Sequence, residues 1–269
     1  KKSGRGQNIS FPHIKQFAAD NASDIKIFQP ETLRDKNTIE QIASLKPDFI
    51  VVAAYGKILP RDILDIAPCI NLHASLLPKY RGASPIQQAI LNNDEYSGVT
   101  AMKMEEGLDT GEMLGFSYVL IKDLNSDALF ELLSKKAADL TLKVLREYDK
   151  ILPLKQTDAL CVKTSKITKE MGIVHFGLKC AELKQKLLAF TPWPGLFLQS
   201  GLKLKSFKCT KAEHSFKYGK IVETKDDTVS VACADGYIHI QRVQAPSKQE
   251  TSALSYINGK RIGVGDTFY

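Results

Sequence analysis

Hydrophobic positions do not keep one period along this chain, and each change of period predicts a different element. Residues 48–54 form a continuous apolar run rich in β-branched side chains that ends at Tyr55-Gly56. Such a run predicts a strand covered on both faces, as in a parallel sheet. Before it, residues 38–45 have helical spacing, and residues 25–28 are a candidate earlier strand. After it come a short helix from Pro60, a strand over 69–73, a helix over 85–91, and strands over 99–104 and 113–121. Helical and strand patterns alternating at short intervals predict an α/β layer structure.

The strongest helical signal follows Asn125, where Leu129, Leu133, Ala137, Leu140 and Val144 recur at steps of three and four along one stripe. Residues 151–177 hold Pro153 and no clear period, which predicts a linker. Residues 181–190 read as a helix ending before Thr191-Pro192-Trp193-Pro194-Gly195, with Trp193 expected to pack the entrance to a second domain. Beyond it, residues 202–209, 220–224, 228–233 and 237–243 alternate apolar and polar between Gly and Asp turns, and a short helix spans 252–257. That pattern predicts a small antiparallel β-barrel domain. The organisation read from the chain is a catalytic α/β domain over 1–150, a linker over 151–177 and a second domain over 178–269.

Composition adds a limit and an asymmetry. No apolar stretch is long enough for a membrane span, so no membrane partner is expected. Of the net charge of +7, residues 171–269 carry +6, which points the second domain toward a polyanion such as nucleic acid. Cys69, Cys161, Cys180, Cys209 and Cys233 are odd in number and never spaced as CxxC. That spacing argues against a disulfide framework or a zinc site, so no metal is expected, and it suits a reducing cytoplasm. Patterns for dinucleotide binding, a P-loop or a zinc protease are absent.

The chemistry concentrates in two short stretches. Asn71 and His73 lie two apart near a strand end, so they share one face, and ligands in open α/β sheets gather at the carboxyl ends of strands. A single histidine ordinarily serves packing, and an aspartate before Thr110-Gly111 ordinarily serves its turn. Here an amide, an imidazole and the Asp109 carboxylate flank a loop dense in turn residues and cations, residues 74–85. Together they could polarise a carbonyl and carry a proton, which suits acyl-type transfer. Lys79 and Arg81 could contact an anion, and residues 1–7 are a basic segment.

The run Asn71-Leu72-His73-Ala74-Ser75-Leu76-Leu77-Pro78-Lys79-Tyr80-Arg81-Gly82, followed by Leu108-Asp109-Thr110-Gly111, resembles the signature of the folate-dependent formyltransferases. Gly4-Arg5-Gly6-Gln7, residues 54–60, Thr191–Gly195 and residues 258–261 extend the likeness over almost the whole chain, most closely to the tRNA-directed branch. A position that family usually fills with Trp is Gln88 here, and its opening strand–helix–strand segment, ahead of Gly4, has no counterpart in these residues.

The resemblance implies a Rossmann-like catalytic domain with a parallel-rich sheet, joined to an OB-like antiparallel barrel. It implies transfer of a formyl group from 10-formyltetrahydrofolate to the α-amine of methionine on initiator methionyl-tRNA, without a metal, by a cytoplasmic monomer. Asn71 and His73 would stabilise the oxyanion of the tetrahedral intermediate, with Asp109 assisting His73 and proton movement. Ser75, Leu76, Leu77 and Pro78 would contact the folate, Tyr55 and Gly56 would line its pterin pocket, and Arg5, Lys79 and Arg81 would meet tRNA. The competing reading is a formyltransferase acting on a nucleotide-sugar amine, which shares the three catalytic groups but has less use for a +6 domain.

Overall fold

A computed structural model describes residues 2–3, 8–9, 11–22 and 24–269, which cluster into two compact units. The first comprises residues 1–47 and 59–66. It holds a two-stranded antiparallel ribbon, β1 (Lys2–Ser3) with β2 (Asn8–Ile9), and helices α1 (His13–Asn21), α2 (Lys36–Ser44) and α3 (Arg61–Leu64). Helix α2 starts at Asp35, whose side chain accepts the Thr38 N–H at 2.9 Å and satisfies one orphan donor of the first turn. The strand expected over residues 25–28 is not one: the segment is irregular, and Ile25, Ile27 and Phe28 are exposed. The Ile25 N–H turns back onto the Ala22 carbonyl at 3.1 Å, and no described strand pairs with the segment.

The second unit comprises residues 48–58 and 67–269 and contains, among the described residues, two larger sheets and a two-stranded one. The mixed sheet has the order β3 (Ile50–Ala53), β4 (Cys69–His73), β6 (Tyr96–Lys103), β7 (Met113–Leu120). β3 and β4 are parallel, whereas β6 runs antiparallel to both β4 and β7. Of the described strands in this sheet, only that first pair has the parallel arrangement. The short strand β5 (Arg81–Gly82) pairs in parallel with β8 (Lys163–Thr164), which lies inside the segment read as a linker. Helix α4 (Pro85–Leu91) opens with proline, whose missing N–H costs nothing in a first turn. Helix α5 (Ser126–Glu147) packs on β6 and β7 with the stripe that its sequence shows: Leu129, Leu133, Leu140 and Val144 are buried.

The other sheet is antiparallel, in the order β11 (Ile221–Lys225), β12 (Thr228–Cys233), β13 (Gly236–Gln244), β10 (Lys203–Lys211), β9 (Leu196–Phe197), with β14 (Glu250–Ser252) also on β13. Among the described residues its outer strands, β11 and β9, are not paired to each other. Helix α6 (Cys180–Ala189) lies against β10 and against α4, and α7 (Ala253–Lys260) lies on β13 and runs on through Asn258 and Gly259. One apolar cluster is continuous from Ile70 and Leu72 under the mixed sheet to Ile238, Ile240 and Phe268 under the antiparallel one. Trp193 differs from expectation: it is 56% exposed. The turn there is closed by the Gly195 N–H on the Phe190 carbonyl, 2.8 Å, and Phe190 takes the buried place instead.

Candidate active site

β4 delivers Asn71, half-buried, and His73, 6% exposed, on one face at its carboxyl end. The chain then folds over itself. Ser75 Oγ donates to the Lys79 carbonyl at 2.6 Å, closing a five-residue loop. Thr100, opposite His73 on β6, donates to the Ser75 carbonyl at 2.6 Å and accepts the Leu77 N–H at 3.0 Å. One buried hydroxyl therefore ties the loop to the sheet at two points. Tyr80 follows in the left-handed region, φ 65°, with its carbonyl turned back toward the strand end.

That carbonyl sets the chemistry of His73. The ring's Nε2 lies 2.9 Å from Tyr80 O, which can only accept, so Nε2 carries the hydrogen. Nδ1 is left to exchange a proton, and it faces Asp109 Oδ2 at 3.7 Å. A protonated ring would keep Nε2–H on that carbonyl, while Nδ1–H, 3.7 Å from the carboxylate and so beyond hydrogen-bonding distance of it, stays available to another acceptor. Asp109 itself is buried, sits at φ 53° and accepts the Gly82 N–H at 2.8 Å on the same Oδ2. Gly82 at φ 114° is needed there, because a Cβ would overlap the Thr164 carbonyl across β5–β8. A Cβ at Gly111 would likewise overlap the Lys103 carbonyl, so the turn carrying Asp109 lies flat on β6.

Gln156 completes the arrangement, from the middle of the aperiodic segment. Its Nε2 donates to the carbonyls of Asp109 and Gly111, both at 2.8 Å, and its Oε1 accepts from Arg81 Nε at 2.9 Å. Arg81 is 6% exposed and also donates from Nη1 to Asp158 at 2.9 Å. Two of its guanidinium nitrogens thus tie the loop that follows β4 to residues 156–158, while Nη2 is buried without a hydrogen-bond partner. Lys79, two residues earlier, is exposed and keeps the reach that Arg81 lacks. Beside the Asp109 turn lies a cavity of about 680 Å³ lined by Arg81, Glu105, Thr110, Lys155, Gln156 and Lys163 among others.

The remaining predicted contacts separate by exposure. Ser75 is fully buried with its hydroxyl engaged, Leu77 is buried, and Leu76 and Pro78 are half-buried. Tyr55 and Gly56 are exposed just beyond β3, the parallel neighbour of β4. Arg5 lies outside the described residues. Thr100 and Gln156 were not foreseen. Thr100 sits unmarked within an apolar strand, and Gln156 has no periodic context that could have singled it out.

Residues 1–148 match the Formyl transferase family and residues 166–261 match the family's C-terminal domain. The chain belongs to the formyl transferase family. Similar proteins in this formyl transferase family include the methionyl-tRNA formyltransferase of a Nitratiruptor species, 49% identical over 100% of this chain and 89% of that one. A methionyl-tRNA formyltransferase of Campylobacter jejuni is 50% identical over 99% of this chain and 88% of its own. Among solved structures, HypX from Aquifex aeolicus in complex with tetrahydrofolic acid superposes with a TM-score of 0.64 at 16% identity, over 84% of this chain and 41% of that one. The sugar 3N-formyl transferase WlaRD gives 0.62 at 22% identity, over 88% and 82%. Both structural likenesses are likenesses of fold.

Proposed function

We propose that this formyl transferase moves the formyl group of 10-formyltetrahydrofolate to the α-amine of methionine carried on initiator tRNA. The observation that carries the reading is the His73–Asp109 pair at the carboxyl end of β4, with Nε2 fixed on Tyr80 and Nδ1 left free. The full-length similarity to methionyl-tRNA formyltransferases supports this substrate over a sugar amine. The residues suit a flat folate ring: Tyr55 offers an exposed aromatic surface, and Leu76 and Pro78 offer half-buried apolar ones.

A formamide carbonyl resists attack until its oxygen is polarised and its nitrogen can leave as a neutral amine. The Asn71 amide supplies a neutral donor for the developing oxyanion, and His73 Nδ1–H supplies a second when the ring is protonated. Asp109 faces that nitrogen and can pass the proton that the attacking amine loses toward the departing one. Asn71, His73 and Asp109 are the catalytic groups in this reading. Ser75 serves by shaping the loop whose Leu76–Pro78 surface meets the folate, and Gly56 leaves Tyr55 room beside it.

On the side of the tRNA, Lys79 and Arg5 are the proposed cation contacts within residues 1–150, and the +6 carried by 171–269 provides the wider attraction. Residues 151–177 would join the two halves and, through Gln156, hold the catalytic turn. The protein is proposed to act as a monomer in the cytoplasm; its five cysteines, none of them in a disulfide, suit a reducing compartment. The test offers methionyl initiator tRNA and a nucleotide-sugar amine side by side with 10-formyltetrahydrofolate. Formylation of the tRNA alone is the expected result; formylation of the sugar alone overturns the reading.

A further inference from the structure

Cysteines that look scattered in sequence converge in space. Cys180 opens α6, Cys209 lies on β10 and Cys233 ends β12, yet these thiols meet at one place beneath the helix start. Cys180 Sγ and Cys233 Sγ are 3.4 Å apart. Cys209 Sγ donates to the Cys180 carbonyl at 3.5 Å. Asp235, in the turn between β12 and β13, accepts the Cys180 N–H on Oδ1 at 2.7 Å. The donor atoms of Cys180, Cys233 and Asp235 all lie within 4.8 Å of one another. Cys180 and Cys233 are buried, while Cys209 and Asp235 are half-buried and give the cluster an opening to solvent.

We propose that Cys180, Cys209, Cys233 and Asp235 form a structural site for a thiophilic divalent cation of the zinc type. Cys180, Cys233 and Asp235 bring two sulfurs and one oxygen within 4.8 Å of one another, and Cys209, now donating to the Cys180 carbonyl, would turn inward to supply the fourth donor of the closed sites that zinc favours. Zinc–sulfur bonds of about 2.3 Å place tetrahedral sulfurs roughly 3.8 Å apart, so Cys180 and Cys233 need to open by about 0.4 Å. A disulfide would need the same pair to close by well over 1 Å, to about 2.05 Å. In the absence of a cation the Cys180 thiol has only soft partners, Cys233 Sγ at 3.4 Å and the carbonyls of Thr210 and Tyr237 at 3.7 Å. Binding replaces three S–H bonds with three sulfur–metal bonds, adds the carboxylate oxygen, and releases three protons to solvent.

The consequence is mechanical. The site would clamp the first turn of α6 to the antiparallel sheet, and α6 is the helix that packs on α4 beneath the mixed sheet. It lies apart from the transfer chemistry and does not depend on the substrate proposed above. The full chain, expressed with zinc and passed through a weak chelator, is expected to retain equimolar zinc. Cobalt substitution should give a thiolate-to-metal charge-transfer band with the strong visible bands of a tetrahedral site. Cys209→Ser and Asp235→Asn, both at half-buried positions, should remain folded by circular dichroism, hold less than a tenth as much metal and lose the zinc-dependent rise in melting temperature. Three results would overturn the proposal: a metal-free wild type without the cobalt band, retention unchanged in both variants, or a Cys180–Cys233 cross-link two hydrogens lighter by mass.

Discussion

The edge of the mixed sheet and the interior of the antiparallel sheet are built on opposite principles. In the antiparallel sheet, Val229, Val231, Ile238, Ile240 and Val243 are completely buried and gain stability from removal of apolar surface. At the catalytic edge the side chains that matter are buried and polar: His73, Ser75, Arg81, Thr100 and Asp109. Each is held by a specific hydrogen bond, several from residues 25 to 77 positions away. The first region tolerates loss of a methyl group and remains a sheet. The second depends on geometry, so small displacements there affect rate before stability.

The largest effect that would test this contrast is removal of the proposed oxyanion donors. Asn71→Ala and His73→Ala should each lower kcat on the order of 100- to 1,000-fold, with an unchanged circular dichroism spectrum. Near wild-type turnover in either variant would take that residue out of the mechanism. Next comes Gln156→Ala, which frees the carbonyls of Asp109 and Gly111 and unties Arg81. A kcat loss of about 100-fold with little change in folate KM is expected, since a misplaced carboxylate costs that much without a lost contact. If folate KM rose while kcat held, Gln156 would belong to the binding surface instead.

A smaller effect probes the other region. Ile238→Val should cost about 0.5–1.5 kcal/mol of unfolding free energy by denaturant titration and leave kcat unchanged. A fall in kcat at full folding would show that the antiparallel sheet also sets the catalytic edge.

The smallest effect concerns alkaline pH. Burial, then the 2.6 Å hydrogen bond to Asp94, holds the Tyr80 phenol up to about 12. The phenol stays neutral in the fold while the unfolded chain ionises near 10, so its contribution is complete below 10 and is lost as pH rises toward 12. Tyr80→Phe should therefore show a shallower loss of stability over that window in pH-dependent melting. An identical slope in both proteins would remove Tyr80 from the alkaline transition.

Much of this was legible in the chain because it is periodic or local. Alternation over residues 202–243 marks the antiparallel strands to within a few residues, and steps of three and four mark α5. Asn71 and His73 could be paired because strand geometry alone puts positions two apart on one face. The segment 151–177 was harder, since it has no period, yet it supplies β8, Gln156 and Asp158 to the catalytic loop. Arg81 is a related case: a cation in a loop shows no partners in sequence, and those it has lie 75 and 77 residues away.

By itself, then, the sequence marked most strands and helices between residues 48 and 150 and beyond 178, and it singled out the side chains proposed for proton and oxyanion chemistry, because backbone preference and side-chain type act over a few residues. Only the tertiary structure decided which nitrogen of His73 meets Tyr80, what holds Asp109 in place, and that the distant Cys180 and Cys233 lie side by side. Those outcomes rest on hydrogen bonds and contacts between residues dozens of positions apart. Such contacts depend on the whole chain packing at once, and no local pattern records them.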